Sequence, residues 1–166
     1  MKTLLVVTKG DLGGAQQVVL NLARSLYEEG HEVLVAYGED DTYLPDELQD
    51  TDISVHQFNH LSRSKNPIAG LRFAFELKRF VQKNNIDLVH LHSSNTLLGA
   101  FGVSLTKAKS VFTFHGMSVL APGYDKTKVL KYIYSVYFAI FSRFLDGAIY
   151  LTEADKQIAD DWLIKP

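Results

Sequence analysis

The sequence contains no cysteine, which excludes disulfide bonds and thiolate chemistry. It also lacks a surplus of charge of one sign: 17 Lys and Arg stand against 19 Asp and Glu, so there is no electrostatic reason to expect nucleic acid as a partner. Long hydrophobic runs are missing as well. The longest, Tyr132–Phe141, is interrupted by Ser135 and is too short to span a bilayer, and the N-terminal run Leu4–Val7 is too short for a signal peptide. These absences favour a cytoplasmic protein.

What the sequence does contain is a regular alternation of short apolar runs and segments with helical periodicity. This alternation is typical of a parallel sheet that is covered by helices on both faces. Six strands are predicted, at residues 4–7, 33–37, 53–58, 86–91, 110–114 and 148–151. The predicted fold is therefore α/β, a doubly wound and mostly parallel Rossmann-like sheet in one domain, with Leu4–Val7 in the middle of the sheet.

Helices are predicted between the strands, at residues 15–26, 67–84, 97–105 and 127–144, with a last helix after residue 152. Asn66-Pro67 marks the start of the second of these helices, because proline suits the first helical position. Thr152 with Asp155 resembles a capping box for the last one. The acidic stretch 39–52 is predicted to be mostly a surface connection.

Sheets of this kind bind ligands beyond the carboxyl ends of their strands, near the point where the strand order reverses. Four loops are expected at this edge. They hold Gly13-Gly14, residues 92–95, His115-Gly116 and Thr152-Glu153. The residues of a functional site are therefore expected in these loops.

Gly13 and Gly14 lie between the first strand and the first helix. A helix start offers free N–H groups and a partial positive charge, and glycine lets a phosphate approach the backbone closely, so the pair would contact an anion or a diphosphate. The alternative is a tight strand-to-helix turn that needs glycine dihedrals. Both interpretations stay open, since the spacing of Gly10, Gly13 and Gly14 matches neither G-x-G-x-x-G nor a P-loop.

Three histidines are predicted at strand ends. His90 and His92 are two apart on one strand and so face the same side. Together with His115 they could begin a metal site, but no carboxylate or cysteine stands nearby, and the favoured interpretation places one of the pair in the core and the other at the sheet edge. His115 suits acid–base or hydrogen-bonding work in the ligand crevice; alternatively it bonds a loop carbonyl while Gly116 makes the turn.

The predicted helix at residues 127–144 is apolar on most sides and has Lys126, Lys128 and Lys131 near its start. A helix that is apolar all round is usually buried or crosses a domain interface, and we favour this interpretation. The alternative is peripheral contact with a partner or with the inner face of a membrane.

Several short segments follow one another in a fixed order along nearly the whole chain. They are residues 13–16 (Gly-Gly-Ala-Gln), 21–26, 30–33, 87–93 and 111–116. With these segments the sequence resembles the N-terminal domain of the retaining glycosyltransferases of family four, the group-one transferases of GT-B fold. The resemblance implies two Rossmann-like domains that face a cleft, the N-terminal one binding mainly the acceptor and the C-terminal one the nucleotide sugar.

By position, the resemblance implies that Gly13 and Gly14 approach the donor diphosphate when the cleft closes, and that His115 lies beside the transferred sugar as the catalytic residue. The residues expected near hydroxyls of the donor or acceptor are Gln16, Ser94 and Asn95. The substrates would be a nucleotide-diphosphate sugar and a glycan or lipid-linked acceptor. Anomeric configuration would be retained, and no metal or other cofactor would be needed.

The family's C-terminal domain is expected to be missing, because Ile164-Lys165-Pro166 ends about where the crossover to that domain would begin. Residues 1–166 would then be the acceptor-side domain and would be inactive alone. Two other functions stay open. One is a stand-alone Rossmann-like module that holds a nucleotide or sugar, with Glu39 and Asp40 bonding a ribose. The other is an interaction subunit that pairs with a separate donor-binding chain.

Overall fold

Strands and helices alternate along the chain in a computed structural model that describes residues 1–39, 43–63, 66–117, 119–121 and 127–166. Asp40 and Lys126 lie outside these ranges. The strands are β1 (Lys2–Val6), β2 (Glu32–Tyr37), β3 (Ser54–Gln57), β4 (Leu88–His92), β5 (Lys109–Phe114) and β6 (Gly147–Tyr150). The helices are α1 (Gly14–Glu28), α2 (Tyr43–Leu48), α3 (Pro67–Asn84), α4 (Gly99–Ser104), α5 (Lys128–Ser142) and α6 (Glu153–Asp161). A 3-10 turn at Ser94–Thr96 follows β4.

The strands form one sheet in the order β3-β2-β1-β4-β5-β6, and each neighbouring pair is parallel. The predicted doubly wound α/β fold is confirmed, and so is the interior position of the first strand, which pairs with β2 and β4. At Leu5 the partners are Val35 and His90. The order reverses between β1 and β4, so the ligand crevice of such a sheet is expected beyond the carboxyl ends of these strands.

Alternate residues of β1 face two separate apolar cores. Leu4 and Val6 pack on one face with buried side chains of α3, α4 and α5, whereas Leu5 and Val7 pack on the other with α1 and α2. All four side chains are almost inaccessible to solvent, and truncating a leucine in such a place to alanine typically costs ~2–5 kcal/mol. β1 is therefore a rigid support for the loop that follows it.

Two helix starts match the predictions. Oδ1 of Asn66 accepts a hydrogen bond from the N–H of Ile68 at 2.9 Å at the start of α3. Oγ1 of Thr152 accepts one from the N–H of Asp155 at 3.0 Å at the start of α6. Such a cap contributes about 1 kcal/mol. In contrast, α1 begins after Gly13 and has no side-chain cap, so no capping side chain covers the N–H groups of its first turn.

The acidic stretch that we predicted to be mostly a surface connection contains the helix α2. Leu44 and Leu48 lie about one turn apart and are both buried in the core beside α1, while Asp46 and Glu47 between them are exposed. The prediction was wrong here because two leucines at helical spacing outweigh Pro45, which a helix tolerates in its first turn.

Candidate functional site

A pair of hydroxyl groups ties the carboxyl ends of β1 and β4 together. Oγ1 of Thr8 and Oγ of Ser93 lie 2.6 Å apart, and Oγ of Ser93 also accepts a hydrogen bond from the N–H of Thr8 at 3.1 Å. Ser93 has a φ of 75°, a conformation that costs about 1 kcal/mol or more in a residue other than glycine. The hydroxyl contacts hold this conformation, and the chain turns sharply where β4 ends.

Three imidazoles, which we call the imidazole row, cross the ends of β4 and β5. The ring centroids of His90 and His92 are 4.1 Å apart, and Nδ1 of His92 lies 2.9 Å from Nε2 of His115. At the inner end of the row, Nε2 of His90 is 2.7 Å from Oγ1 of Thr113. His90 and His92 are buried and His115 is half-buried, so the row opens to solvent at His115.

The histidines differ from expectation in two respects. His90 and His92 do face the same side, and His92 ends β4 at the carboxyl edge of the sheet. Both rings are buried, however, so the prediction that only one of the pair would lie in the core was wrong. His115 bonds His92 rather than a loop carbonyl, while Gly116, with a φ of 115°, makes the expected turn. In the described part of the chain, no group of three or more His, Asp or Glu is arranged to hold a metal ion.

Burial keeps the imidazole row uncharged. It lowers the pKa of His92 from 6.5 to about 2 and that of His90 to about 4, and nearby imidazoles add to both effects. Burial also lowers the pKa of His115. At neutral pH the row therefore consists of neutral rings, each with one nitrogen that donates and one that accepts.

The hydrogen bonding of His92 indicates which nitrogen carries each proton. Nε2 of His92 is buried and has no hydrogen-bond partner among the described residues. A buried N–H without an acceptor is less favourable than a buried lone pair without a donor. The proton of His92 is therefore favoured on Nδ1, which donates to Nε2 of His115. His115 then carries its own proton on Nδ1, at the open end of the row.

Gly13 and Gly14 stand at the start of α1, just after β1. Gly13 has extended dihedrals, φ −167° and ψ 170°, and neither glycine has a positive φ. A Cβ on Gly14 would have no atom within 4 Å, and one on Gly13 would meet Oε1 of the flexible Gln16 side chain at 2.7 Å. A need for glycine dihedrals therefore does not explain this pair. What the glycines provide is an uncapped helix start with open space at Gly14 and the flexible Gln16 side chain beside Gly13.

A charged network flanks this helix start. Gln16 is buried, and its Nε2 donates to Oδ1 of Asp11 at 2.6 Å. Nζ of Lys9 lies 3.5 Å from Asp11 and 3.6 Å from Glu39. Glu39 also accepts a hydrogen bond from the backbone N–H of Arg63 at 2.6 Å, so its carboxylate is engaged within the chain. We did not predict Asp11 from the sequence, because a lone acidic residue in a loop is usually solvated.

A second concave feature, the α3–α5 cavity, lies between these two helices and reaches the end of β4. Its volume is about 520 Å³, and Ser94 and Asn95 are among the residues that line it. Nδ2 of Asn95 donates to the carbonyl of Ser62 at 2.9 Å, and the hydroxyl of Tyr137 donates to the carbonyl of Ser94 at 3.0 Å. These two bonds connect the turn after β4 to the segment before α3 and to α5.

One face of α5 is open to solvent. Val129, Ile133, Val136 and Ile140 recur at helical spacing and are between 37% and 69% exposed, whereas Phe138 is buried on the opposite face. Burial of this helix is therefore confirmed for one face only, and for the other face a domain interface and a partner or membrane contact both stay predictions. No helix in the described ranges is long and apolar enough to cross a membrane.

The predicted site residues thus fall into two groups. Gly13-Gly14 and Gln16 lie at the start of α1, after β1, and His115 follows β5. Since β1 and β5 flank β4, these residues and His92 share the carboxyl edge of the sheet, and we call them the strand-end site. The α3–α5 cavity holds the other group, Ser94-Asn95, and the described residues that line it do not include Gly13, Gly14 or His115.

Other residues of these two places were not predicted. We had judged His92 to be structural, and Arg63 and Tyr137 of the cavity were not among the candidates. The helical spacing of Tyr134, Tyr137 and Phe141 on α5 is the signal that could have indicated an aromatic wall.

Residues 12–166 match the sequence profile of Glycosyltransferase Family 4. A glycosyltransferase from Rickettsia africae ESF-5 is 25% identical, with a TM-score of 0.72 over 99% of this chain and 40% of that one. Anabaena Alr3699/HepE, solved in complex with UDP and glucose, is 18% identical, with a TM-score of 0.72 over 98% of this chain and 41% of that one. Sucrose-phosphate synthase from Thermosynechococcus elongatus is 14% identical, with a TM-score of 0.68 over 99% of this chain and 45% of that one. The chain spans less than half the length of each of these proteins. No curated protein matches the sequence.

Proposed function

The chain belongs to Glycosyltransferase Family 4, and from that premise we propose that it is the N-terminal, acceptor-side domain of a transferase. The enzyme moves a sugar from a nucleotide-diphosphate sugar to a glycan or lipid-linked acceptor and retains the anomeric configuration. A second domain binds the nucleotide, in keeping with the greater length of the proteins that share this fold. The UDP and glucose bound to one of those proteins are the two components of a donor of the proposed class.

The observation that carries the proposal is the strand-end site, where an uncapped helix start and an open imidazole flank the same strand. Breaking the bond between the anomeric carbon and the diphosphate leaves negative charge on the departing oxygen. The N–H groups at the start of α1 are placed to stabilise such charge. Gly14 leaves the backbone bare, so a diphosphate can approach it closely, and the side chain beside Gly13 is the flexible Gln16.

His115 is the proposed catalytic residue. Its Nδ1–H, set by the hydrogen bond that Nε2 accepts from His92, donates to a hydroxyl of the transferred sugar. An N–H donor that is held in this way orients the anomeric carbon and keeps its own proton. The lowered pKa of His115 keeps the ring neutral at physiological pH. Gln16 positions the loop at the helix start through Asp11, and Ser94 and Asn95 lie on the acceptor side. We propose that no metal or other cofactor takes part.

We also propose that α5 touches the cytoplasmic face of a membrane. Its exposed stripe, Val129, Ile133, Val136 and Ile140, offers an apolar surface, and Lys128 and Lys131 lie in its first turn. Such a helix binds anionic lipid surfaces through buried apolar area and basic charge together. Sedimentation with phosphatidylcholine vesicles, with and without phosphatidylglycerol, tests this contact. Absence of binding to both vesicle types would contradict it.

The test of the function uses the 166-residue chain and a longer protein in which a donor-binding domain follows it. With a panel of nucleotide sugars, we expect nucleotide release and glycosylated product from the longer protein and none from the chain alone. Proton NMR of the product should show the anomeric configuration of the donor. Robust turnover by residues 1–166 alone would overturn the half-enzyme proposal, and an inverted product would overturn retention.

A further inference from the structure

The α3–α5 cavity has an apolar interior. Its walls include Phe73 and Gly70 of α3, Leu98, and Ile133 and Phe141 of α5. A Cβ on Gly70 would come within 3.3 Å of Cδ1 of Leu98, so glycine at this position keeps space open. These walls suit methylene groups, each of which raises affinity about fourfold when buried. Sugar hydroxyls that are buried against these apolar walls would lose water without gaining hydrogen bonds from them.

The rim of the cavity has the opposite chemistry. We define this rim by four polar lining residues that are exposed or half-buried, Ser62, Arg63, Ser94 and Asn95. The described lining residues include no carboxylate. The guanidinium of Arg63 pairs with no carboxylate in the part of the chain that the structure describes. Guanidinium binds phosphate oxygens with charge-assisted, often bidentate hydrogen bonds. The rim is therefore complementary to an anionic head group, while the interior is complementary to a hydrocarbon chain.

The rim also adjoins the strand-end site along the chain. Ser94 and Asn95 follow directly after His92 and Ser93, and the hydroxyl contact between Ser93 and Thr8 fixes the turn between them. A head group held at the rim would lie beside the place proposed for sugar transfer. The volume of about 520 Å³ is also within the range of ordinary small-ligand sites.

We propose that the α3–α5 cavity binds the hydrocarbon chain of an anionic lipid acceptor, a lipid phosphate whose head group lies at the rim. The role as acceptor rests on the proposed function, whereas the binding itself does not. A glycan acceptor fits this cavity less well, since most of the lining surface is apolar. Among the acceptors that the family premise allows, the cavity thus selects the lipid-linked class.

The first test is calorimetric titration of the chain with hexyl and octyl phosphate, with octanol and inorganic phosphate as reference ligands. We expect one octyl phosphate per chain, bound about 15-fold more tightly than hexyl phosphate because two more methylenes are buried. Inorganic phosphate alone should not bind, and Arg63→Ala should remove most of the preference for octyl phosphate over octanol. Equal affinity for the two chain lengths would overturn the proposal.

Two substitutions on α5 distinguish ligand binding in the cavity from ligand binding on the helix surface. Ile133 and Val129 are one turn apart and both belong to the exposed stripe of α5, but only Ile133 also lines the cavity. Ile133→Asp should weaken octyl phosphate binding at least about tenfold, while Val129→Asp should leave it unchanged and weaken only vesicle binding. Equal losses in both variants would place the ligand on the helix surface and overturn the cavity site. If circular dichroism shows that Ile133→Asp does not fold, Gly70→Leu, which fills the same space, takes its place.

The acceptor role is tested separately in the longer protein. We expect octyl phosphate to inhibit transfer competitively against the acceptor, and Ile133→Asp to raise the acceptor KM about tenfold. Octyl phosphate binding without competition would overturn the acceptor role. A longer protein that binds octyl phosphate but transfers no sugar would refute the proposed function and leave the amphiphile site standing.

Discussion

The two sides of the β4 end carry opposite chemistry. On one side His92 is fully buried, bonds His115 and leads to an uncapped helix start. On the other side Ser94 and Asn95 open into an apolar cavity with a cationic rim. Only Ser93, held at a φ of 75°, separates them. The end of β4 thus contributes residues to two sites, the strand-end site, which suits a charged ligand, and the α3–α5 cavity, which suits a hydrocarbon chain. The strained residue Ser93 lies between them.

The largest effect is expected from acid, because it acts on the buried rings of the imidazole row. The pKa of His90 and His92 lies near 6.5 in the unfolded chain and falls to about 4 and about 2 in the fold. Below pH 6.5 the unfolded chain therefore binds more protons than the folded chain, and stability falls as the pH falls. From about pH 7.5 to about pH 5 we expect the free energy of unfolding to drop by roughly 2 kcal/mol for each ring.

Urea unfolding at several pH values measures this loss. His92→Asn should reduce the slope between about pH 6.5 and about pH 5. A free energy of unfolding that is constant over this interval in the unmodified chain would mean that the imidazole row is not buried as described.

The buried ring of His92 should also act on the open ring of His115. With its proton on Nδ1, His92 donates to Nε2 of His115. His92→Asn retains an amide donor near that position, whereas His92→Phe removes it. We expect His92→Phe to lower kcat of the longer protein by on the order of tenfold or more, and His92→Asn to retain most of the activity.

Nitrogen-15 NMR of the imidazole rings provides a readout that a purely structural role would not move. Both His92 and His115 should carry the proton on Nδ1 in the unmodified chain, and His115 should change to Nε2–H in His92→Phe. Finding Nε2–H on His115 before any substitution would contradict the role of His92 as a positioning residue.

A smaller effect is expected at the helix start. Gly14→Ala adds a methyl group in open space, so the fold should be unchanged or stabilised by about 0.5–1 kcal/mol. Because the methyl group blocks close approach of a diphosphate, the donor KM should rise about tenfold. Gly30→Ala is the matched control: Gly30 has a φ of 81°, so this variant should lose about 1 kcal/mol of stability and keep its donor KM. The idea of a phosphate contact fails if Gly14→Ala leaves the donor KM unchanged.

Most of the fold was predictable from the sequence because its signals are local and repeated. The apolar runs place six strands, and the side chains of Asn66 and Thr152 mark helix starts that the structure confirms. The helix α2 was missed because only Leu44 and Leu48 signal it within an acidic stretch. Its burial depends on α1, a partner that periodicity within the segment does not show.

The candidate site was less predictable because it depends on contacts between distant segments. His92 and His115 are 23 positions apart in the sequence. Only the parallel pairing of β4 and β5 brings Nδ1 of His92 to within 2.9 Å of Nε2 of His115. The α3–α5 cavity likewise combines Arg63, Ser94 and Tyr137 from three segments. Residue types indicated which side chains could do chemistry, whereas strand order decided which of them meet.

The most direct test of two sites at one strand end is steady-state kinetics of His115→Ala and Ile133→Asp side by side in the longer protein. We predict that His115→Ala lowers kcat by on the order of 100-fold and changes the acceptor KM little. Ile133→Asp should raise the acceptor KM about tenfold and leave kcat nearly unchanged. If Ile133→Asp instead lowers kcat with an unchanged acceptor KM, or His115→Ala leaves kcat intact, the division between a transfer site and an acceptor cavity is wrong.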